Sequence, residues 1–252
     1  MAPLRVLLAL VAVATWPARA ATGCSCADPG PPCRALPRSD AVFVGKVAEI
    51  TEVDTDPPRD GSVRRPQRRV RLVVEESFRG AGVERGGALE VTTGLGGGDC
   101  GYGFEAGQRY LVYAEHPTGG DGLYTGICSR TRPLSDAAVD LDYLRTRTRP
   151  ERAAGIEGSI DELARDPETK DTRWVGPMRG VTVVAERQGD GRRWEAKTDE
   201  HGWFRIWGIT FGKYTVRVKL PDTFVPEATT RDDVTVESGV CGWVHMLATP
   251  QP

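Results

Sequence analysis

The 252-residue sequence contains no asparagine, so it offers no acceptor for N-linked glycan. Histidine is almost as scarce. His116, His201 and His245 are the only three, and none stands in a metalloprotease spacing. His201 falls in a predicted turn and His245 alternates along a predicted terminal strand, the placements of ordinary structural side chains. Lysine occurs five times, at Lys46, Lys170, Lys197, Lys213 and Lys219, against a large excess of scattered arginine. With a formal net charge of -2, the chain lacks the basic footprint of a nucleic-acid binder. Catalytic signatures are missing too. There is no G-x-S-x-G elbow. "GGGDCG" (residues 96–101) satisfies G-x-G-x-x-G, but no helical pattern follows it, so it reads as a flexible turn presenting Cys100. Glu75 and Glu76 are neighbours on a predicted strand and point to opposite faces, where they cannot share a proton. Beyond the leader, no apolar run approaches the eighteen residues of a membrane span, so no transmembrane segment is expected. These gaps argue against an enzyme, a cofactor or a metal site of the chain's own.

What is present begins with an export signal over residues 1–20. Arg5 supplies the positive start, "LLALVAVATW" is an apolar core too short to span a bilayer, and Ala18-Arg19-Ala20 is a small-x-small cleavage site. Export to the extracellular space, periplasm or cell envelope makes disulfides the expected state of the six cysteines. A competing reading takes Ala21-Thr22-Gly23-Cys24 as a lipoprotein signal, with Cys24 lipid-anchored. It is the less favoured one, because it leaves five cysteines to pair.

The remaining chain divides in two. Strand-like runs occupy residues 41–50, 68–77, 88–93, 109–115 and 123–128, with Val70, Leu72 and Val74 on one face of the second. The polar, proline-broken stretch between the first two reads as a solvated hairpin tip. The period then becomes helical. Leu134, Ala137, Ala138, Leu141 and Leu144 share a face, with Ser135 placed to cap and Asp136 suited to the positive helix end. Five strands and a terminal helix predict a compact β-barrel domain over residues 24–145. "TRTRPERAAG" has linker composition, and the linker proper is set at residues 146–154. From 155 to 249 the pattern is strand again, in runs at 155–164, 180–187, 193–209, 213–220, 232–238 and 242–248. The expectation is an all-β chain, with a small antiparallel β-sandwich as its second domain.

"CSCADPGPPC" supplies three cysteines within ten residues. A zinc site would favour wider gaps and a second nearby pair, whereas the other three cysteines are scattered. Side chains at i and i+2 of an extended chain point the same way, so Cys24 and Cys26 are poised for two different partners. The expected role is to staple the N-terminal segment to the barrel.

Cys24-Ser25-Cys26, then Cys33, then "DAVFVGKV" (residues 40–47) resemble the start of the tissue inhibitors of metalloproteinases. Cys100 and Cys128, with "FEAGQRYLVY" between them, are similar to the same family and to netrin-like domains generally. The resemblance covers residues 24 to about 145. It implies a five-stranded OB-type barrel with a packed terminal helix, and the pairings Cys24–Cys100 and Cys26–Cys128. One departure follows. In that family the third N-terminal cysteine pairs near the helix end, but here no cysteine lies between Cys128 and Cys241. Cys33 and Cys241, one per domain, are left to pair with each other. The second half has its own likeness: "TDEHGWFRIWGITFGKYTVRV" resembles the hairpin of carboxypeptidase regulatory-like domains, transthyretin-like sandwiches that are accessory and non-catalytic. In that pattern Phe204, Ile206, Tyr214, Val216 and Val218 face the core.

The expected function is therefore that of an exported, non-catalytic, two-domain protein-binding molecule. The alternative is a metalloprotease inhibitor. By the resemblance, a chain beginning at Cys24 would chelate a zinc endopeptidase's metal through its terminal amine and first carbonyl, with Ser25 entering the specificity pocket. Cleavage after Ala20 would leave Ala21-Thr22-Gly23 ahead of Cys24 and abolish that chelation; cleavage after Gly23 would permit it. A second candidate surface is "WFRIW". With Phe204 and Ile206 inward, Trp203, Arg205 and Trp207 share the outer face, where they would stack on sugar rings, anchor a partner, or be covered by the first domain.

Overall fold

The computed structural model describes residues 24–54, 66–80, 82–117, 122–149, 154–169, 171–227, 232–237 and 240–251. The export signal, its cleavage site, the segment Ala21-Thr22-Gly23, the hairpin tip at residues 55–65 and residues 150–153 of the linker lie outside them.

The first unit is built on a long hairpin, β1 (Ala41–Asp54) with β2 (Pro66–Arg79), paired antiparallel with three register shifts along its length. Such bulges bend a strand and increase its twist. Strands β3 (Ala88–Gly94), β4 (Arg109–Ala114), β5 (Leu123–Tyr124) and β6 (Arg132–Pro133) complete a sheet of order β5-β3-β2-β1-β4-β6. The sheet path is open rather than closed, with β3 and β5 parallel. An isolated bridge joins Glu115, just past β4, to Tyr124 of β5. Val70, Leu72 and Val74 are buried as their alternation predicts, against Phe43, Val91, Phe104 and Val112.

Two short helices pack on the other face of β1 and β4. The first, α1 (Pro32–Arg38), has no counterpart in the sequence reading. Pro32 at its first turn pre-sets the backbone and lacks only an N–H that a helix start leaves unpaired anyway. Cys33 and Leu36, one turn apart, point inward. The second, α2 (Ala138–Thr146), starts later than expected, because Leu134–Asp136 forms a 3-10 turn. Ser135 is not its cap. The Ser135 hydroxyl bonds the neighbouring Asp136 carboxylate, and Ala137 occupies the cap position without a side-chain bond. Arg145 ties α2 to the sheet through Glu76, at 3.0 and 2.6 Å.

The second unit is a sandwich of two sheets. One has the order β10 (Arg193–Lys197), β9 (Thr182–Arg187), β12 (Gly212–Lys219), β14 (Asp233–Val236). The other runs β11 (Trp203–Trp207), β7 (Gly155–Arg165), β15 (Gly242–Pro250), β13 (Phe224–Pro226), with β8 (Thr172–Pro177) also paired to β7. Ile156, Ile160, Phe204, Ile206, Tyr214, Val216, Val244 and Met246 fill the space between, with Val218 packed against them. The sandwich is not wholly antiparallel: β15 runs parallel to β7 over seven residue pairs. The chain reaches β15 from β14 in the opposite sheet, and that crossing brings it in alongside β7 in the same direction.

A third apolar cluster joins the units. Cys33, Leu36, Val42, Leu111, Tyr113, Tyr143 and Leu144 from the first meet Cys241 from the second, with Trp207 packed against them.

Candidate functional site

Residues 24–31 run without regular structure and are tied to loops of the first sheet. Their anchor points are set by two loops. Between β3 and β4, the Asp99 carboxylate accepts the backbone N–H groups of Leu95, Gly96 and Gly101 at 2.7–3.0 Å. Burial opposes its charge, but these donors outweigh burial and hold the carboxyl below its ordinary range. The turn places Cys100 in the left-handed region, φ 58°, the one such non-glycine among the described residues. Gly101 then pairs with Gly126, and Ile127 N–H donates to the Cys100 carbonyl at 2.9 Å. The approach is so close that a Cβ at Gly126 would lie 2.7 Å from the Cys100 carbonyl oxygen. This contact sets the Cys100 loop beside the Cys128 turn.

The turn also shortens β5 relative to the expected run 123–128. Thr125 Oγ1 donates to the Tyr113 carbonyl at 2.8 Å and exchanges hydrogen bonds with Ser129 and Thr131, drawing the chain out of strand geometry. The structure joins Cys24 to Cys100 and Cys26 to Cys128, with Cα separations of 5.5 and 5.0 Å. Ser25 is exposed between them and Cys24 is half-buried.

Beyond the staple, the segment is held by a buried ion pair. Arg130 Nε and Nη2 donate to the two Asp140 oxygens at 2.7 Å each, and Nη1 donates to the Gly30 carbonyl. Tyr113 donates to Asp140 Oδ1 at 2.9 Å, and Arg132 stands 3.5 Å from Oδ2. Burial works against the Arg130 charge, but the bonds and charge of Asp140 overcome it and the guanidinium pKa rises. Burial, then the Asp140 charge, pushes the Tyr113 phenol far up, so it remains a donor. A cavity of about 240 Å³ lies under the segment, lined by Pro29, Tyr124, Cys128 and Arg130 among others.

The third disulfide joins Cys33 of α1 to Cys241, directly before β15, across 208 residues of sequence. Both cysteines are buried, at 1% and 5% exposure.

Trp203, Arg205 and Trp207 do share the outer face of β11, between inward Phe204 and Ile206, but they divide into two settings. Trp207 stacks on Tyr143 of α2, with ring centroids 5.9 Å apart and planes 28° apart, and its indole N–H donates to Glu157 at 3.1 Å. Gly155 makes room for this ring, since a Cβ there would lie 2.3 Å from it. Arg205 stands 3.7 Å from the same Glu157 oxygen. Trp203 instead leans on Trp243 of β15 at 5.4 Å. Sequence reasoning missed Trp243, Trp174 and the His245–Asp161 pair at 2.9 Å. Trp243 and His245 alternate on one strand, which was a readable signal; which strand lies beside it was not.

Among the described residues, no group of three or more His, Cys, Asp or Glu is placed to hold a metal ion, and no helix is long and apolar enough to cross a membrane.

No protein-family model and no curated protein matches the chain. Similar solved structures include a putative carbohydrate-binding protein from Pseudomonas aeruginosa, 15% identical, covering 38% of this chain and 88% of that one at a TM-score of 0.26. A minor pilin from Streptococcus agalactiae is 12% identical over 84% of each chain, TM-score 0.28. The TIE protein of Bacillus anthracis is 11% identical over 83% of this chain and 31% of its own, TM-score 0.23. At these scores the functional reading rests on the chain's own geometry.

Proposed function

We propose that the chain is an exported, non-catalytic binding protein of the envelope or extracellular space, presenting a rigid N-terminal edge at a fixed orientation to a second domain. The observation that carries this reading is the Cys33–Cys241 disulfide inside an apolar seam. A binding protein gains from such locking because less freedom is lost on association. With all six cysteines paired, an oxidising compartment is the consistent setting. We read the first domain as an OB-type, netrin-like barrel. The order β5-β3-β2-β1-β4 supports this, together with the Glu115–Tyr124 bridge that brings β5 to the end of β4.

A second reading is favoured by one feature, the exposure of Ser25 between two pinned cysteines. It would make the edge an inhibitor of a zinc endopeptidase, provided the mature chain begins at Cys24. An α-amine with a pKa near 8 keeps a usable neutral fraction at pH 7 for a zinc's open position.

One experiment tests both. A photo-reactive residue replaces Ser25 in the full chain expressed with its own leader, and the exported protein's N-terminus is sequenced. The expected result is a discrete cross-linked protein partner, absent when the same group replaces Gln188 in the exposed turn after β9. A zinc endopeptidase captured by a Cys24-first chain selects the inhibitor reading. No adduct, or equal adducts from both positions, contradicts the binding edge.

A further inference from the structure

The outer face of the sheet in which β7 lies between β15 on one side and β11 and β8 on the other is built differently from an ordinary solvated face. In one row Trp203, Ser159 and His245 lie side by side; in the next Arg205, Glu157 and Trp243 do. Ser159 is small and buried, and over it the Trp203 and Trp243 rings approach to 5.4 Å at 38°. Further along β7, Asp161 bridges two neighbours. Its Oδ1 accepts the Trp174 indole N–H at 3.2 Å, and its Oδ2 lies 2.9 Å from His245 Nε2. Trp174 itself, opposite Leu163, is 62% exposed.

We propose that this face binds a neutral oligosaccharide. Indole faces stack on the C–H faces of sugar rings, and the Asp161 carboxylate, with lone pairs to spare beside His245, accepts sugar hydroxyls. Charge selects the class. Asp161 stands beside His245 and Glu157 beside Arg205, so the face gathers no cluster of one charge with which to hold a polyanion or polycation. Length selects more than one ring. Ser159 and Leu163, beside the indole pair and Trp174 respectively, are four residues apart on β7, about 13 Å at the rise of a strand. Trp207 is not part of the site, being taken up by Tyr143. The surface is distinct from the Cys24–Cys26 edge, and either can fail alone.

Calorimetric titration of the full exported chain with cellohexaose, maltohexaose, chitohexaose and a heparin hexasaccharide tests the proposal. At least one neutral hexaose should bind saturably, and Trp174→Ala and Trp203→Ala should each weaken it about tenfold, as expected for loss of one ring-stacking contact. Trp174 is exposed enough for its variant to fold, and circular dichroism checks both. The proposal is overturned if no neutral hexaose binds, if binding survives both substitutions, or if the heparin fragment binds more tightly. A concentration-dependent dimer that Trp174→Ala abolishes, without sugar binding, would reassign the face to self-association.

Discussion

Asp161 makes two contacts on the aromatic face, and one of them shifts a titration. The hydrogen bond to Asp161 raises the His245 pKa; burial opposes it, and the charges of Asp161 and then Asp28 add to it. A histidine whose folded pKa is raised contributes stability that is fully present below its unfolded value near 6.5 and disappears as pH rises through the folded value. Asp161→Asn should therefore return His245 toward 6.5, read by NMR of the ring protons. The wild-type advantage in stability should be present below about pH 6.5 and fade as pH rises above it. An unchanged His245 titration in that variant would contradict the pairing. At this scale the sequence was legible where alternation speaks: Val70, Leu72, Val74, Phe204 and Ile206 are all buried. For Trp207 it offered cover by the first domain as one alternative but not the partner, because Tyr143 lies 64 residues away in α2 and no local pattern encodes that meeting.

Strands of five or more residues in the first sheet, and most of those in the sandwich, were readable because a period of two survives wherever one face is buried. Several short elements were not, although β5 and β14 fall inside the expected runs 123–128 and 232–238. The strands β6 and β13 span two and three residues and include proline, and α1 is a seven-residue helix containing Pro37, too short to show a period. Direction was also hidden, since alternation assigns a face and not an orientation; the parallel β7–β15 pair is the result. One junction between elements gives a sharp prediction. At Gly155, the first residue of β7, a methyl group would meet the Trp207 ring at 2.3 Å. Gly155→Ala should displace that ring from Tyr143 and destabilise the chain by about 1–3 kcal/mol, the usual cost of overpacking. Denaturant unfolding together with near-UV dichroism of the stacked pair measures it, and wild-type values for both would contradict the assigned contact.

Across the whole molecule, the cysteines do what neither core does alone. The loops closed by Cys24–Cys100, Cys26–Cys128 and Cys33–Cys241 span 76, 102 and 208 residues. On the chain-entropy account the longest, taken by itself, restricts the unfolded chain by about 5 kcal/mol. Its second consequence is orientation: with Cys33 on α1 and Cys241 before β15, the seam of Leu36, Tyr143 and Trp207 is covalently closed. Parity made this bond readable once the other four cysteines were assigned, although the seam around it was not. The rigid two-domain arrangement is the central claim, and non-reducing peptide mapping of the exported monomer tests it most directly. A single peptide pair joined through Cys33 and Cys241, with no alkylated cysteine elsewhere, is the predicted result. Cys33 recovered alkylated from the monomer, or bridged to a second chain, would contradict it.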